Sequence, residues 1–366
     1  MKVGVIGLPA SGKTTVFNAI TGSNASTGTF GAGAEANIGI VPVPDMRQDW
    51  LSELYKPKKT TYANIEVVDV AGLVPGSAKK DGFSPQLIQN LRQVEALVHV
   101  VRAFTDPSVP HPDGSVDALR DAELVELELI LADLAVVQKR LEKLDQEIQR
   151  KKGPERTTAE QEKEILKRFE DLLTKEQPLR QIQISEDDTK VVRGYTFLSQ
   201  KPLLLVANID EAEIGKADTE TLKKLKPFAE SKAAPLLSFC GKTEMEIAQM
   251  EPAERDEFLS ALGITESGRD KLIKASYSLL NVIPFFTVGE DEVRAWTITA
   301  GTIAQEAARK IHSDIARGFI RAEVAAFKAL QDCGSWNAAK DKGLVRLEGK
   351  EYIVQNGDCI NFRFAV

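Results

Sequence analysis

The sequence predicts an α/β protein: a parallel sheet wrapped by helices, interrupted by a long helical hairpin and followed by a smaller α+β domain. Three observations carry this. Short, almost wholly apolar runs recur between turns at "KVGVIG", "IEVVDVAG", "ALVHVVRAF" and "PLLLVAN". Runs without polar alternation belong to strands buried on both faces. Residues 120–180 instead carry Leu, Ile and Val at helical spacing among many charges, broken at "GPERTT". That is the pattern of two antiparallel helices joined by a Gly-Pro turn. Beyond about residue 280 apolar and polar residues alternate, as they do in a sheet with one solvated face.

The first strand, 2–6, runs into "GLPASGKT", Gly7 to Thr14, and then into the helical "KTTVFNAITG". Strand, G-x-x-x-x-G-K-[ST] and helix together define a P-loop. Its glycines let successive N–H groups turn toward phosphate oxygens, and the helix N-terminus adds positive character. Ala10, Ser11, Gly12, Lys13, Thr14 and Thr15 are therefore the expected phosphate-binding stretch. Lys13 is expected to bridge the terminal phosphates, and the Thr14 hydroxyl to bind Mg²⁺.

The second strand run, 65–72, ends in Asp69, Val70, Ala71 and Gly72. An acid at the end of a buried strand fits Mg²⁺ binding through water, and the Gly72 N–H fits the γ-phosphate. Leu73 follows, where many P-loop GTPases place a water-orienting Gln. Of three histidines, His99 lies inside the apolar "LVHVV" and reads as core, and His312 lies in the C-terminal region. His111, in the loop "TDPSVPHPDG", has two readings: a solvated loop residue, or a group that reaches the γ-phosphate when the loop closes.

After the helical insertion the strand pattern resumes at 202–208 and 234–239, so the hairpin is an insert within the sheet domain. The strand 202–208 runs into "NIDE", 208–211. A guanine site of this class ends a strand in N-K-x-D, whose acid accepts from two guanine donors at once. Here Asn208 keeps its place, Ile209 replaces the lysine and is expected to pack on the base, and Glu211 takes the acid's place. The extra methylene crowds guanine and lets the carboxylate meet an amino group such as adenine N6. Relaxed specificity favouring ATP is expected, by about 1–3 kcal/mol. Ser238, with Phe239, is expected beside the base after the next strand. In the C-terminal region a helix is expected near 302–313, and Asn356-Gly357 reads as a two-residue hairpin turn.

Composition excludes several classes. A net charge of -7 argues against a chain-wide DNA binder, so no DNA partner is expected. Three scattered cysteines, Cys240, Cys333 and Cys359, show no metal spacing and fit a reducing compartment. No run of about 18 apolar residues occurs, so no membrane span is expected.

Taken together, "GLPASGKTTVFNAITG", "DVAGLVPGSA", "HVVRAF", "VANIDE" and "FFTVGEDEVRAWTI" through "RLEGKEYIVQNGDCINFRF" resemble the YchF/Obg-like ATPase subfamily of the Obg family. The resemblance runs nearly end to end. It implies a Ras-like P-loop domain over 1–280, interrupted by a coiled-coil-like insertion over 118–198. It also implies a C-terminal ubiquitin-like (β-grasp) TGS domain over 281–364. The implied activity is Mg²⁺-dependent hydrolysis of ATP in preference to GTP, in a cytoplasmic switch that associates with the ribosome or its RNA. It further implies that His111 takes the catalytic place of the missing glutamine. Two positions depart from the family: Ala10 stands where relatives carry Asn, which puts potassium activation in doubt, and Gly33 stands where a switch threonine completes the Mg²⁺ shell. A GTPase of the same fold, or a nucleotide-sensing RNA-binding adaptor with little hydrolysis, are the alternative readings.

Overall fold

In the computed structural model, residues 1–23, 37–70, 83–261 and 264–365 are described. The chain forms two compact units, one of Met1–Ile40 with Glu66–Leu272 and the other of Val41–Ile65 with Ile273–Val366. This differs from the expected boundary near 280, because 41–65 is built into the second unit.

The first sheet has the order β2-β4-β1-β5-β6-β7. Its strands are β1 (Lys2–Ile6), β2 (Asn37–Pro42), β4 (Asn64–Asp69), β5 (Ala96–Arg102), β6 (Leu203–Asn208) and β7 (Leu236–Phe239). The pairings of β1 with β4 and β5, and of β6 with β5 and β7, are all parallel. Every residue of β5 and β6 is buried, the reason these runs lack alternation. Helix α1 (Lys13–Thr21) follows β1, and α3 (Pro85–Arg92) precedes β5. The active edge of such a sheet is the carboxyl end of its strands, where the P-loop, Asp69 and "NIDE" all fall.

Between β5 and β6 lie α4 (Ala118–Arg150), α5 (Pro154–Thr174) and the short α6 (Glu186–Val192). Asp117 caps α4 by accepting from the N–H groups of Leu119 and Arg120. Gly153, at φ 59°, makes the turn that Pro154 then fixes as the start of α5. The arm carries its own core, with Val137, Leu144, Ile165, Leu166 and Phe169 buried together. Arg140 reaches across it to Glu162 at 2.7 Å. The arm's base is fixed by a buried ion pair, Arg180 to Glu126 at 2.7 Å, and by Asp133, which accepts from the N–H groups of Leu198 and Ser199. Helices α7 (Glu220–Ser231), α8 (Gly241–Ala248), α9 (Pro252–Ala261) and α10 (Gly268–Leu279) complete the run.

The second sheet has the order β11-β10-β12-β8-β9-β3. Its strands are β3 (Lys59–Thr61), β8 (Val282–Thr287), β9 (Glu292–Thr299), β10 (Phe319–Ala326), β11 (Arg346–Glu348) and β12 (Asp358–Phe364). β8 and β9 form an antiparallel hairpin, β10 and β12 pair antiparallel, and β12 lies parallel to β8. With α11 (Ala304–Ile311) packed through Ala304, Ala307 and Ala308, this is the β-grasp arrangement. Segment 41–65 adds α2 (Met46–Tyr55) and β3, which pairs parallel with β9. Gln48 donates to the carbonyls of Thr61 and Val293, and Arg47 reaches Asn356 at 2.8 Å and lies over the Phe286 ring. Asn356-Gly357 is not the expected two-residue hairpin. Residues 350–354 spend their backbone groups on 302–305 instead, so the turn delivers β12 to the sheet from a loop.

Candidate functional site

The loop between β1 and α1 takes the shape its glycines require. Gly12 caps α1 at φ 87°. A Cβ there would lie 2.2 Å from the Asn208 amide nitrogen, and one on Gly7 would lie 2.5 Å from the Val100 carbonyl oxygen. Both positions thus need glycine, for left-handed backbone in one case and close approach in the other. Ala10 also sits left-handed, at φ 64°, a conformation that costs an L-residue with a Cβ about 1–2 kcal/mol.

Thr14 and Asp69, far apart in sequence, are brought together: the Thr14 hydroxyl donates to Asp69 Oδ2 at 3.0 Å. Asp69 is 6% exposed. Its other oxygen, Oδ1, is buried with no hydrogen-bond partner among the described residues, as is Ser11 Oγ. A buried carboxylate oxygen without a donor has its desolvation uncompensated, and a hydrated hard cation beside Thr14 supplies what it lacks. The donor set therefore fits Mg²⁺. Gly72, Leu73, Gly33 and Thr29 lie outside the described residues.

Asn208 is 4% exposed. Its amide donates to the Ser11 carbonyl at 3.0 Å and its oxygen accepts from the Gly241 N–H at 3.0 Å. It thereby clamps the P-loop to the turn after β7. Ile209, expected to pack on the base, is 4% exposed and lies in the core with Val101, Leu205, Leu222 and Leu225. Asp210, read as a spacer, accepts from the Thr105 N–H at 3.1 Å and so ties β6 to the loop after β5.

Glu211 is partly exposed, and its carboxylate is turned toward the start of α8. One oxygen lies 3.2 Å from Lys242 Nζ and the other accepts from the Thr243 hydroxyl at 3.3 Å. The bond to Glu211 and its charge hold the Lys242 ammonium above its ordinary pKa. Ser238 lies on β7 in register with Ala207, and Phe239 is buried in the core.

His111 is held away from solvent, its side chain 3% exposed. Nε2 lies 2.8 Å from Asp121 Oδ2, and Nδ1 accepts from the Asp113 N–H at 3.1 Å. Both ring nitrogens are therefore occupied within the loop and the first turn of α4. Arg102 organises that loop from the end of β5. It is 3% exposed, donates to the carbonyls of Phe104, Asp106 and Val109, and stacks over the Phe104 ring. The sequence carried a signal for it, a lone arginine closing the apolar "LVHVVRAF". Nothing local marked Asp121 or Lys242. His99 is core as expected, 1% exposed, with burial and the nearby Arg180 charge pushing its pKa down to about 3.

No helix among the described residues is long and apolar enough to cross a membrane. A family described as "50S ribosome-binding GTPase" matches residues 2–209, and one described as a protein of unknown function (DUF933) matches 282–365. The chain is similar to the "Ribosome-binding ATPase YchF" of Bacillus subtilis, 44% identical with all of both chains covered. It is similar to the protein of the same name from Escherichia coli O157:H7, 37% identical over 100% of this chain and 99% of that one. A solved structure described as the Schizosaccharomyces pombe YchF GTPase superposes with a TM-score of 0.87 at 32% identity, covering 99% of this chain and 97% of that one. With a P-loop, a paired Thr14 and Asp69, an arm inserted between β5 and β6 and a C-terminal β-grasp sheet all in place, the chain belongs to the YchF family.

Proposed function

We propose that the chain is a cytoplasmic, ribosome-associated nucleotide switch that binds ATP with Mg²⁺, prefers it to GTP, and hydrolyses it. The single observation that carries this reading is the contact between Thr14 and Asp69 at the P-loop, with Asp69 Oδ1 buried and without a partner among the described residues. Thr14 and Asp69 are the residues to hold Mg²⁺, which neutralises charge developing on the phosphates when bound. The 7–14 loop presents N–H groups to the phosphates, and Lys13 pairs with the terminal ones. His111, released from its present partners, orients the attacking water.

The base preference rests on Glu211 and on Asn208's use as a clamp. With the carboxylate drawn toward Lys242 and Thr243, the bidentate guanine contact of an N-K-x-D site is weakened. Ribosome association rests on the names of the similar proteins and on the 2–209 family match. The structure described as a GTPase favours a second reading, the same site working on GTP. Single-turnover hydrolysis of ATP and GTP by the wild type and His111→Ala tests the chemistry. A slower His111→Ala supports the role given to His111, and equal rates remove it. Failure to cosediment with ribosomes in any nucleotide state removes the partner.

A further inference from the structure

We propose that Asp121 is a latch, a positioning residue that withholds His111 from the nucleotide and so sets the basal rate of hydrolysis. The proposal rests on the reading of His111 as the water-orienting group. Its ground is the hydrogen-bond arrangement around one buried ring. The Nδ1 atom accepts from the Asp113 N–H, so the proton of the neutral imidazole lies on Nε2 and is donated to Asp121 Oδ2 at 2.8 Å. No lone pair or N–H remains for a water. An orienting dyad, in which a carboxylate holds one nitrogen and leaves the other to react, does not describe this geometry. A closed state does.

The carboxylate is built to let go. Its other oxygen, Oδ1, takes a fork from Arg120, with Nε at 3.0 Å and Nη2 at 2.8 Å, and Arg120 is in turn held by Ser115. When His111 leaves, Asp121 keeps a charged partner, so opening does not strand a buried charge. The ring itself is the group that changes place. A charge-assisted hydrogen bond of this kind biases a two-state equilibrium by about 10- to 150-fold. Asp121 also belongs to the first turn of α4, so the latch is part of the inserted arm while its catch is part of the loop after β5.

The test is single-turnover ATP hydrolysis with Mg²⁺ by the full chain as wild type, Asp121→Asn, His111→Ala and the double variant. Asp121→Asn keeps the shape and removes the charge, and is expected to hydrolyse at least about tenfold faster than wild type. The double variant is expected at the His111→Ala rate. An Asp121→Asn rate at or below wild type, with His111→Ala slow, overturns the latch and leaves His111's role standing. A His111→Ala rate equal to wild type overturns that role instead. Nitrogen-15 histidine spectra of the wild type give a readout free of any variant's folding. His111 is expected with a protonated, slowly exchanging Nε2 and a bare Nδ1, and a rapidly exchanging ring contradicts the proposal.

Discussion

The two ends of the nucleotide site are built differently. At the phosphate end the contacts are short, buried or part-buried, and local to the sheet: Thr14 on Asp69, Asn208 on Ser11, and Gly12 fitted beneath the Asn208 amide. At the base end the equivalent position is Glu211, about half exposed and paired with an ammonium that is 69% exposed. An exposed pair of this kind is screened by solvent and contributes little, whereas a buried hydrogen-bonded group left unpaired costs about 1–3 kcal/mol. On the proposed reading the site separates affinity from discrimination: the phosphate end serves any nucleoside triphosphate, while the base end chooses weakly.

Breaking the phosphate end has the largest expected effect. Lys13→Ala removes the one cation of the P-loop, and single-turnover hydrolysis should fall on the order of 100- to 1000-fold for ATP and GTP alike. Asn208→Ala comes next. It strands the Ser11 carbonyl and the Gly241 N–H, so denaturant unfolding should show a loss of about 2–4 kcal/mol. Both nucleotides should weaken together, because the clamp serves the loop and not the base. A selective loss of one nucleotide in calorimetry would reverse that assignment.

A change beneath both ends sharpens the comparison. His99 sits on β5 beside β1 and β6 and is neutral when folded, its pKa lowered by burial and then by Arg180 to about 3. The unfolded chain takes up a proton near 6.5 that the folded one refuses. Stability contributed by this site is therefore full above about pH 6.5 and is lost as pH falls toward 3, by at most about 1.4 kcal/mol per pH unit. His99→Leu should flatten that part of the pH dependence of unfolding without changing the ratio of ATP to GTP affinity. The smallest effect is expected at Ala10, whose left-handed backbone suits Gly. Ala10→Gly should raise stability by about 1 kcal/mol in thermal unfolding.

The legibility of the site in the sequence follows the same division. The P-loop is one contiguous motif between a strand and a helix, so its residues and their roles can be read together. Thr14 and Asp69 are read separately, each from its position at the end of a buried strand or loop, and the fold joins them. At the end of β6 less can be read, because all six residues of β6 are buried and no alternation shows which way Asn208 and Ile209 turn. Ile209 packs in the core, and Asn208 bonds two backbone groups. Asp121 and Lys242 look like any surface charge until the fold supplies His111 and Glu211 as neighbours. Segment 41–65 is short and polar, and its place beside β9 depends on pairings more than 200 residues away in sequence.

The most direct test of the account is calorimetric binding of ATP and GTP in the presence of Mg²⁺, on the wild type and on Glu211→Asp. The account predicts that the wild type binds ATP more tightly than GTP. It also predicts that Glu211→Asp shifts the ratio toward GTP by about tenfold or less. Wild-type binding of GTP at least tenfold tighter than ATP would contradict it.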